Sequence, residues 1–228
     1  MVKKPSKPSM PADLSSATPP SGFSEGALPK LFVFDLDYTL WPFWVDTHVA
    51  PPLKASPTHE SVKDRSGESF AFYHEVPSIL SSLQSRGIKV AAASRTSAPD
   101  LGREMLRLLH VVDAEGKKKK AIDFFDFLEI YPGSKITHFN KLQQATGFKF
   151  EEMLFFDDES RNRNVESLGV TMYLVRDGVS RAELERGIKD WRKKYGHDVV
   201  DAVDARTHSI SLQTCTRNFA EKHTRGMF

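Results

Sequence analysis

Residues 31–40 read LFVFDLDYTL, and this stretch indicates the fold. Its first four residues form a continuously apolar run, which predicts a short parallel strand buried on both faces. Asp35 and Asp37 follow at once, where that strand ends. The stretch therefore predicts the core of a sheet and a polar site at the edge of the sheet.

Four similar apolar runs follow along the chain, at residues 88–93, 127–130, 153–156 and 170–175. Apolar residues at helical spacing lie around and between them, at residues 76–83, 97–109, 136–142, 165–168 and 180–191. Gly87 and Gly147 are suited to end two of these helices, and Ser97 and Ser180 are expected to cap two others. Strand alternating with helix predicts an α/β fold, a Rossmann-like parallel sheet with helices on both faces.

The length of 228 residues suits one α/β domain with some tail. We expect a disordered Pro/Ser-rich tail over residues 1–28, one domain over 29–195, and a C-terminal tail of unknown role over 196–228. The single cysteine fits a reducing compartment and a cytoplasmic location. Because the first segment is serine-rich and poor in acids, targeting to an organelle is the alternative.

The charge balance argues against two classes of partner. Thirty-two basic and 30 acidic residues give a net charge of +2, so we expect neither nucleic acid nor an acidic membrane surface as partner. No apolar stretch reaches the length of a membrane span. Residues 117–120 are four adjacent lysines, which we interpret as a solvated loop. Residues 41–73 are irregular and have room for a small hairpin but hardly for a domain.

Polar side chains follow four of the predicted strands. They are Asp35, Asp37 and Thr39 after the first, Ser94 after the second, Lys135 after the third, and Asp157 and Asp158 after the fourth. Since the carboxyl ends of parallel strands meet at one edge of a sheet, we expect these residues to converge on a single cleft.

Their types suit phosphoryl transfer. The carboxylates Asp35, Asp157 and Asp158 can hold Mg²⁺, with the backbone carbonyl of Asp37 as a further ligand. The ion would bridge Asp35 and a phosphate oxygen and reduce their repulsion. Lys135 and the Ser94 hydroxyl would bind the remaining phosphate oxygens.

The two acids at the first strand end suggest a two-step reaction. Asp35 would attack phosphorus, and Asp37 would protonate the leaving alcohol and then deprotonate the water that hydrolyses the aspartyl-phosphate. Thr39 would orient the loop after the first strand and would not react itself. The predicted activity is therefore hydrolysis of phosphate monoesters.

At these residues the sequence resembles the haloacid dehalogenase-like superfamily. Within it, four runs are similar to the eukaryotic magnesium-dependent phosphatases, also described as protein-tyrosine phosphatases: FDLDYTLWPFWVDTHVAPP (34–52), AAASRTS (91–97), IYPGSKITHF (130–139) and FFDDESRN (155–162). The resemblance implies a Rossmann-like core with minimal or no cap domain and a magnesium ion in an open cleft.

The resemblance also implies a role for each matched residue. Asp35 would be nucleophile and metal ligand, Asp37 acid/base and carbonyl ligand, and Asp157 the remaining protein ligand. Asp158 would support the site through a metal-bound water or by positioning Lys135. The family is associated with phosphotyrosine and with sugar phosphates, including ketoamine phosphates from glycation. The expected partner is thus a small phosphorylated metabolite or a phosphotyrosyl protein, bound by a monomer.

Two features at the predicted cleft remain open to two interpretations. The aromatic cluster Trp41, Phe43 and Trp44 either lines the entrance or packs over the edge of the core. Arg95 either joins Ser94 and Lys135 in binding an anionic substrate group such as the phosphate, or anchors the local structure.

Three other classes of protein compete with this interpretation. A receiver module would be phosphorylated once without turnover, but it carries its acceptor Asp after the third strand, where this chain has Pro-Gly-Ser-Lys. A haloacid dehalogenase needs no metal, and Asp37 with the pair Asp157 and Asp158 argues against it. The third class is a catalytically silent binding or scaffold protein, and the intact set of motifs argues against it. Cys-dependent tyrosine phosphatases are excluded, because they carry Arg six residues after the cysteine and this chain has Glu221 there, after Cys215.

Overall fold

The computed structural model describes residues 26–197. In that part of the chain the strands are β1 (Leu31–Phe34), β2 (Lys54–Ala55), β3 (Val62–Lys63), β4 (Ser69–Phe70), β5 (Lys89–Ser94), β6 (His110–Val112), β7 (Lys118–Lys120), β8 (Phe127–Ile130), β9 (Met153–Asp157) and β10 (Thr171–Leu174). The α-helices are α1 (Val45–His48), α2 (Val76–Ser85), α3 (Pro99–Leu108), α4 (Lys135–Thr146) and α5 (Arg181–Tyr195). Three 3₁₀ helices cover Ala121–Phe124, Phe150–Glu152 and Ser160–Leu168.

Five strands form the central sheet, in the order β10-β9-β1-β5-β8, and all of its pairings are parallel. The five apolar runs predicted as strands are these five strands. In the middle of the sheet β1 pairs with β9 and β5, so that Phe34 is in register with Phe156 and Ala92. Asp35 therefore leaves the sheet at its centre, between the ends of two neighbouring strands.

Helices cover both faces of the sheet, as predicted. Phe32 and Phe34 of β1 point into one core, which also contains residues of α2, α3 and α5. Leu31 and Val33 point into the other core, with Phe139 of α4 and residues of the 3₁₀ helix Ser160–Leu168. Because successive side chains of a strand point to opposite faces, a continuously apolar strand requires such a two-sided cover.

The predicted helix ends are confirmed except at one residue. Gly87 and Gly147 have φ of +67° and +69°, and Ser180 accepts a hydrogen bond from the Glu183 N–H at 3.2 Å. Ser97, however, does not cap α3, which begins after Ala98 without a side-chain cap. The Ser97 hydroxyl donates to Asp46 instead, because α1 brings a carboxylate within reach.

The irregular stretch between β1 and α2 contains only α1 and a small antiparallel sheet, β2-β3-β4. The prediction of a solvated loop at residues 117–120 is wrong, because three of these residues form strand β7, which pairs with β6 in a second antiparallel sheet. Lys118–Lys120 pairs with His110–Val112, and Lys119 reaches the buried carboxylate of Asp113 at 2.8 Å. The four lysines hide this pairing in the sequence, because nothing in their composition indicates a strand.

None of the helices within residues 26–197 is long and apolar enough to cross a membrane. The tails predicted for residues 1–28 and 196–228 fall almost wholly outside the described part of the chain. At its C-terminal end, α5 stops at Gly196, whose φ is +68°.

Candidate active site

The loop after β1 turns sharply and holds Asp37 in place. The Leu36 carbonyl accepts hydrogen bonds from the N–H groups of Thr39 and Leu40, at 3.2 and 2.8 Å. Tyr38 takes the left-handed conformation, with φ of +51°. The turn places Asp37 so that its Oδ1 accepts from Trp41 Nε1 at 2.7 Å and from the Val45 N–H at 3.0 Å. Both contacts are on one oxygen, which leaves Asp37 Oδ2 for a ligand.

Lys135, the first residue of α4, connects two of the predicted strand-end acids. Its Nζ lies 2.6 Å from Asp35 Oδ1 and 3.0 Å from Asp157 Oδ2, and it also donates to the Ala93 carbonyl. The ammonium lies over the Phe155 ring, 4.9 Å from its centroid. Lys135 is 1% exposed and Asp157 fully buried, so the network is closed to solvent except at Asp35.

The charges of this network are strongly coupled. Burial raises the pKa of Asp35 well above its usual value, against the lowering effect of the nearby Lys135. Burial would lower the pKa of Lys135, but the carboxylates of Asp35 and Asp157 outweigh it and the pKa is raised. Lys135 is therefore a permanent cation at the floor of the cleft.

Two further acids have raised pKa values. Burial raises the pKa of Asp37 to about 6, although the hydrogen bonds from Trp41 and Val45 act in the opposite direction. Burial and the neighbouring Asp157 raise the pKa of Asp158 to about 6. A carboxyl group with a pKa near 6 can give up and take back a proton near neutral pH, which suits Asp37 to acid/base chemistry.

Asp157 is held by two donors that the sequence did not indicate. Its Oδ1 accepts from the Glu159 N–H at 2.7 Å, and its Oδ2 accepts from Asn162 Nδ2 at 2.8 Å. Asn162 is 2% exposed, and its own Oδ1 accepts from Arg95 Nη1 at 3.0 Å. Asn162 was missed as a site residue, although it ends the matched run 155–162, because nothing in the local sequence indicates that this segment turns back towards Asp157.

Ser94 and Thr39 occupy their predicted places at the strand ends. Ser94 lies at the cleft with its Oγ accepting from the Thr96 N–H at 3.3 Å, so the hydroxyl hydrogen remains available to a ligand. Thr39 is fully buried, and its carbonyl accepts from the Val179 N–H at 2.9 Å, which ties the loop to the chain before α5.

Six of the predicted site residues line a cleft of about 300 Å³ at the carboxyl edge of the sheet: Asp35, Asp37, Ser94, Arg95, Lys135 and Asp158. Thr39 and Asp157 are fully buried and do not line it. The other lining residues are Trp44, Asp46, Thr47, Thr96, Glu159, Arg161 and Asn162.

The aromatic cluster near the cleft divides between core and entrance. Trp41 and Phe43 are buried and stack on each other at 5.3 Å, so they belong to the core. Trp44 is 48% exposed at the entrance, edge-on to the Tyr38 ring at 5.1 Å. Trp41 and Phe43 therefore pack over the edge of the core, and Trp44 lines the entrance.

The donor set at the floor fits a hard divalent cation. Asp35 Oδ2 has no hydrogen-bond partner among residues 26–197, and the Asp37 carbonyl and the Asp157 carboxylate are the other oxygen ligands expected there. In the same part of the chain no three His, Cys, Asp or Glu side chains form a ready-made metal cage. Two carboxylates and one carbonyl are a sparse set, of the kind that Mg²⁺ completes with water and phosphate oxygens.

A parallel sheet with buried acids, a lysine and a serine gathered at its carboxyl edge defines a hydrolase of the haloacid dehalogenase-like class. Residues 27–194 match the model of the acid phosphatase family, and the chain belongs to that family. It is 48% identical to human magnesium-dependent phosphatase 1 over 167 residues. The aligned region covers 73% of this chain and 89% of the human protein. The resemblance predicted from the four sequence runs is confirmed.

Two other proteins agree with this placement. A HAD-like hydrolase superfamily protein of Schizosaccharomyces pombe is 46% identical over 144 residues, covering 63% of this chain and 83% of the relative. The crystal structure of a HAD-superfamily hydrolase from Ehrlichia chaffeensis aligns with a TM-score of 0.50 at 12% identity, over 72% of this chain and 98% of that chain. The latter shows the fold alone.

Proposed function

We propose that this chain is a magnesium-dependent phosphatase that hydrolyses phosphate monoesters through an aspartyl-phosphate on Asp35. The observation that carries the proposal is the network of Asp35, Lys135 and Asp157 at the open edge of the sheet. It combines a carboxylate that faces the cleft with a buried cation beside it. A phosphate dianion needs such a cation, because it otherwise repels an anionic nucleophile.

Asp35 is the acid best placed to be the nucleophile. It is the one member of the network that is not fully enclosed, at 8% exposed, and Lys135 holds its Oδ1 at 2.6 Å. That contact leaves Oδ2 directed to the cleft. Ser94 and Lys135 bind the oxygens of the phosphate during attack, and hydrogen bonds that are already in place cost no reorganisation when charge develops.

Asp37 serves as general acid and then as general base. It is fixed by two donors on Oδ1, so that Oδ2 can carry the proton that the leaving alcohol receives when the P–O bond breaks. Its ionised form then takes a proton from the water that attacks the aspartyl-phosphate. The pKa near 6 suits both steps.

The cofactor is magnesium, held by the carboxylates of Asp35 and Asp157 and by the carbonyl of Asp37. When bound, the ion supplies Lewis-acid compensation for the charge between nucleophile and phosphate. Asp158, the next residue along the chain, would support the site through a metal-bound water or by positioning Lys135. The relatives support this assignment, since the human protein carries magnesium dependence in its name.

The substrates we propose are phosphotyrosine, sugar phosphates, or both. The segment between β1 and α2 builds no domain over the cleft, so a phosphorylated side chain of a protein can enter as well as a small ester. Trp44 offers an exposed ring at the entrance, on which a tyrosyl ring or the apolar face of a sugar can stack.

The test is hydrolysis of p-nitrophenyl phosphate by the full chain, with Mg²⁺ and with EDTA. Asp35→Asn is expected to abolish phosphate release while the chain stays folded, because the amide has nearly the same size as the carboxyl group and keeps an oxygen that can accept from Lys135. Retained activity in this variant would show that the nucleophile is another residue. A single labelling event without turnover in the unaltered chain would favour a receiver module instead.

A further inference from the structure

One buried histidine, His138, has no part in the chemistry described so far. It is fully buried in α4, three residues after Lys135. Its Nε2 lies 3.0 Å from the Tyr131 carbonyl oxygen, and its Nδ1 lies 2.9 Å from the Ser134 carbonyl oxygen. The ring also stacks on the Tyr131 ring, with centroids 4.3 Å apart. A single imidazole therefore contacts both ends of the loop 131–134, which joins β8 to Lys135.

The proton on the ring decides which of the two contacts is a hydrogen bond. Burial lowers the pKa of His138 and outweighs the carbonyl of Tyr131, which raises it, so the ring is neutral near pH 7 and carries a single N–H. The Ser134 carbonyl already accepts from the backbone N–H groups of Thr137 and His138, at 2.9 and 3.3 Å. The proton therefore belongs on Nε2, where it donates to the Tyr131 carbonyl.

Tyr131 is in turn bonded to a neighbouring strand end. Its N–H donates to the Ser94 carbonyl at 3.1 Å, while its own carbonyl accepts from His138. In the proposed mechanism Ser94 and Lys135 bind oxygens of the same phosphate, although they follow different strands, β5 and β8. The hydrogen bonds from Ser94 to Tyr131 and on to His138 lead back to α4, whose first residue is Lys135. His138 thus completes a bonded connection between the two phosphate-binding groups.

Lys135 is sensitive to where α4 begins, because its ammonium must reach two carboxylates and the phosphate at once. Nζ lies 2.6 Å from Asp35 Oδ1 and 3.0 Å from Asp157 Oδ2. A shift of the first turn of α4 would lengthen at least one of these contacts or move the ammonium away from the phosphate. Misplacing a group in an active site by about 1 Å can lower the rate by on the order of 10²-fold.

From these contacts we infer that His138 is a positioning residue, whose Nε2–H holds the loop 131–134 and so fixes Lys135 relative to Ser94 for binding of the transferred phosphate. His138 does not line the cleft, and its effect on the reaction passes through Lys135. The inference rests on the proposed phosphatase function and adds to it a residue that supports the phosphate site from within the core.

The test compares three variants of the full chain in the hydrolysis of p-nitrophenyl phosphate with Mg²⁺. His138→Phe keeps a ring that can stack on Tyr131 but has no N–H, and we expect kcat to fall by about tenfold or more. His138→Gln places an amide N–H near the position of Nε2 and should recover most of kcat. His138→Asn places its amide near the position of Nδ1, beside Ser134, and should resemble His138→Phe. Equal values for the Gln and Asn variants would overturn the inference.

A double-mutant cycle tests whether the effect passes through Lys135. In a chain that already carries Lys135→Met, His138→Phe should change kcat by less than about twofold, because no ammonium is left to position. The same fold loss in both backgrounds would mean that His138 acts by another route, and the inference would then be wrong. An unchanged kcat for His138→Phe in the original background would also overturn it.

Thr146→Ala is the matched control, because the Thr146 hydroxyl donates to the Leu142 carbonyl at 2.7 Å at the other end of α4. It removes a hydrogen bond from the same helix and should leave kcat within about twofold of the original value. A loss as large as that of His138→Phe would mean that kcat follows the stability of α4 as a whole, which contradicts a positioning role.

A measurement on the unaltered chain covers the case in which the variants do not fold. Nitrogen NMR of isotope-labelled histidine side chains at neutral pH should show the His138 proton on Nε2 and an unprotonated Nδ1. A proton on Nδ1 instead would remove the bond to Tyr131 and overturn the inference. If the unaltered chain does not hydrolyse p-nitrophenyl phosphate, the proposed function itself fails, whereas the position of the proton on His138 can still be measured.

Discussion

At the floor of the cleft Lys135 lies between two carboxylates and is 1% exposed, whereas Trp44 at the entrance keeps 48% of its surface exposed. The floor residues are bonded to one another and to the ends of the strands. The entrance residues are supported by other loops: Asp46 of α1 accepts from the N–H and the hydroxyl of Ser97, at 3.0 and 2.7 Å.

The difference between floor and entrance suggests that the residues that carry out the reaction are distinct from those that select the substrate. In the proposed mechanism Asp35, Lys135 and Asp157 serve the phosphate that all substrates share, so a change at one of these three floor groups should affect every substrate alike, whereas Asp37 acts on the leaving group. The entrance groups belong to α1 and to the loops after β5 and β9, so a change there should depend on the leaving group. Substitutions at increasing distance from the floor can test whether the two levels are separate.

The largest effect is expected for Lys135→Met. It removes the cation that compensates the phosphate, and the loss of one such group typically lowers kcat by on the order of 10²–10³-fold. It also leaves Asp35 and Asp157 buried together, so the free energy of unfolding in EDTA should fall by about 3 kcal/mol. Phosphate release and urea unfolding measure the two effects.

Lys141→Met is the control for this variant, because Lys141 is an exposed residue of the same helix, α4. It should change neither activity nor stability appreciably. If Lys135→Met lost activity for only some leaving groups, the floor would also contribute to selection and the separation would be wrong.

Asp37→Asn should show a large effect that depends on the chemistry of the leaving group. The amide keeps an oxygen for Trp41 and Val45 but cannot donate a proton as an acid does. For poor leaving groups such as phenol or a sugar alcohol, kcat/KM should fall by about 10²–10⁴-fold, the usual contribution of a general acid. For p-nitrophenol, which leaves readily as an anion, the loss should be much smaller.

The comparison among esters is the internal control for Asp37. A loss of the same size for phenyl and p-nitrophenyl phosphate would mean that Asp37 does not protonate the leaving group. The carboxyl would then act by another route, such as orienting the loop.

The sequence predicted the floor of the cleft much better than its entrance, for a physical reason. Asp35, Ser94 and Asp157 each follow a continuously apolar strand, and parallel strands bring their carboxyl ends together whatever lies between them. Knowing the strands was therefore enough to place these residues. Lys135 followed from its position at the start of the helix after β8.

The entrance depends on contacts between segments that have no periodic pattern. Asn162 ends one of the runs that carry the family resemblance, but its bond to Asp157 depends on the 3₁₀ helix after β9 turning back towards the strand end. Ser97 looked like a helix cap because its sequence neighbours suit that role, but α1 supplies a stronger acceptor in Asp46. Such choices are decided by tertiary structure, which local sequence does not encode.

A moderate and selective effect is expected for Trp44→Ala. The ring lies at the entrance, supported edge-on by Tyr38 at 5.1 Å, and can stack on an aromatic leaving group. An aromatic pair contributes about 0.5–1.5 kcal/mol, so KM for aryl phosphates should rise by about two- to tenfold. Alkyl phosphates without a flat face should be affected less.

Trp44→Phe is the matched variant, because it keeps a ring at the entrance and should retain most of the preference for aryl esters. Steady-state kinetics with phenyl and glycerol phosphates would measure the difference. Equal changes for both esters would show that Trp44 shapes the cleft without contacting the leaving group.

The smallest effect is expected for Ser97→Ala, which removes one of the two hydrogen bonds that Ser97 donates to Asp46. Partial burial raises the pKa of Asp46, but the hydrogen bonds from Ser97 lower it, and the pKa lies below its usual value. A carboxyl group whose pKa is lowered by folding contributes stability above its unfolded pKa, and this contribution is lost as pH falls through the folded pKa. The variant should therefore be less stable than the original chain at pH 7 and equally stable in acid.

Because Asp46 is largely open to solvent, the loss at pH 7 should be only about 0.5 kcal/mol, the lower end for one hydrogen bond. Ser82→Ala provides the contrast, since the Ser82 hydroxyl donates to the Ser78 carbonyl within α2 and its effect should not vary with pH. Urea unfolding of both variants at neutral and acid pH measures this. A loss in Ser97→Ala that persists in acid would mean that the Ser97 hydroxyl stabilises the chain through a partner other than the ionised Asp46.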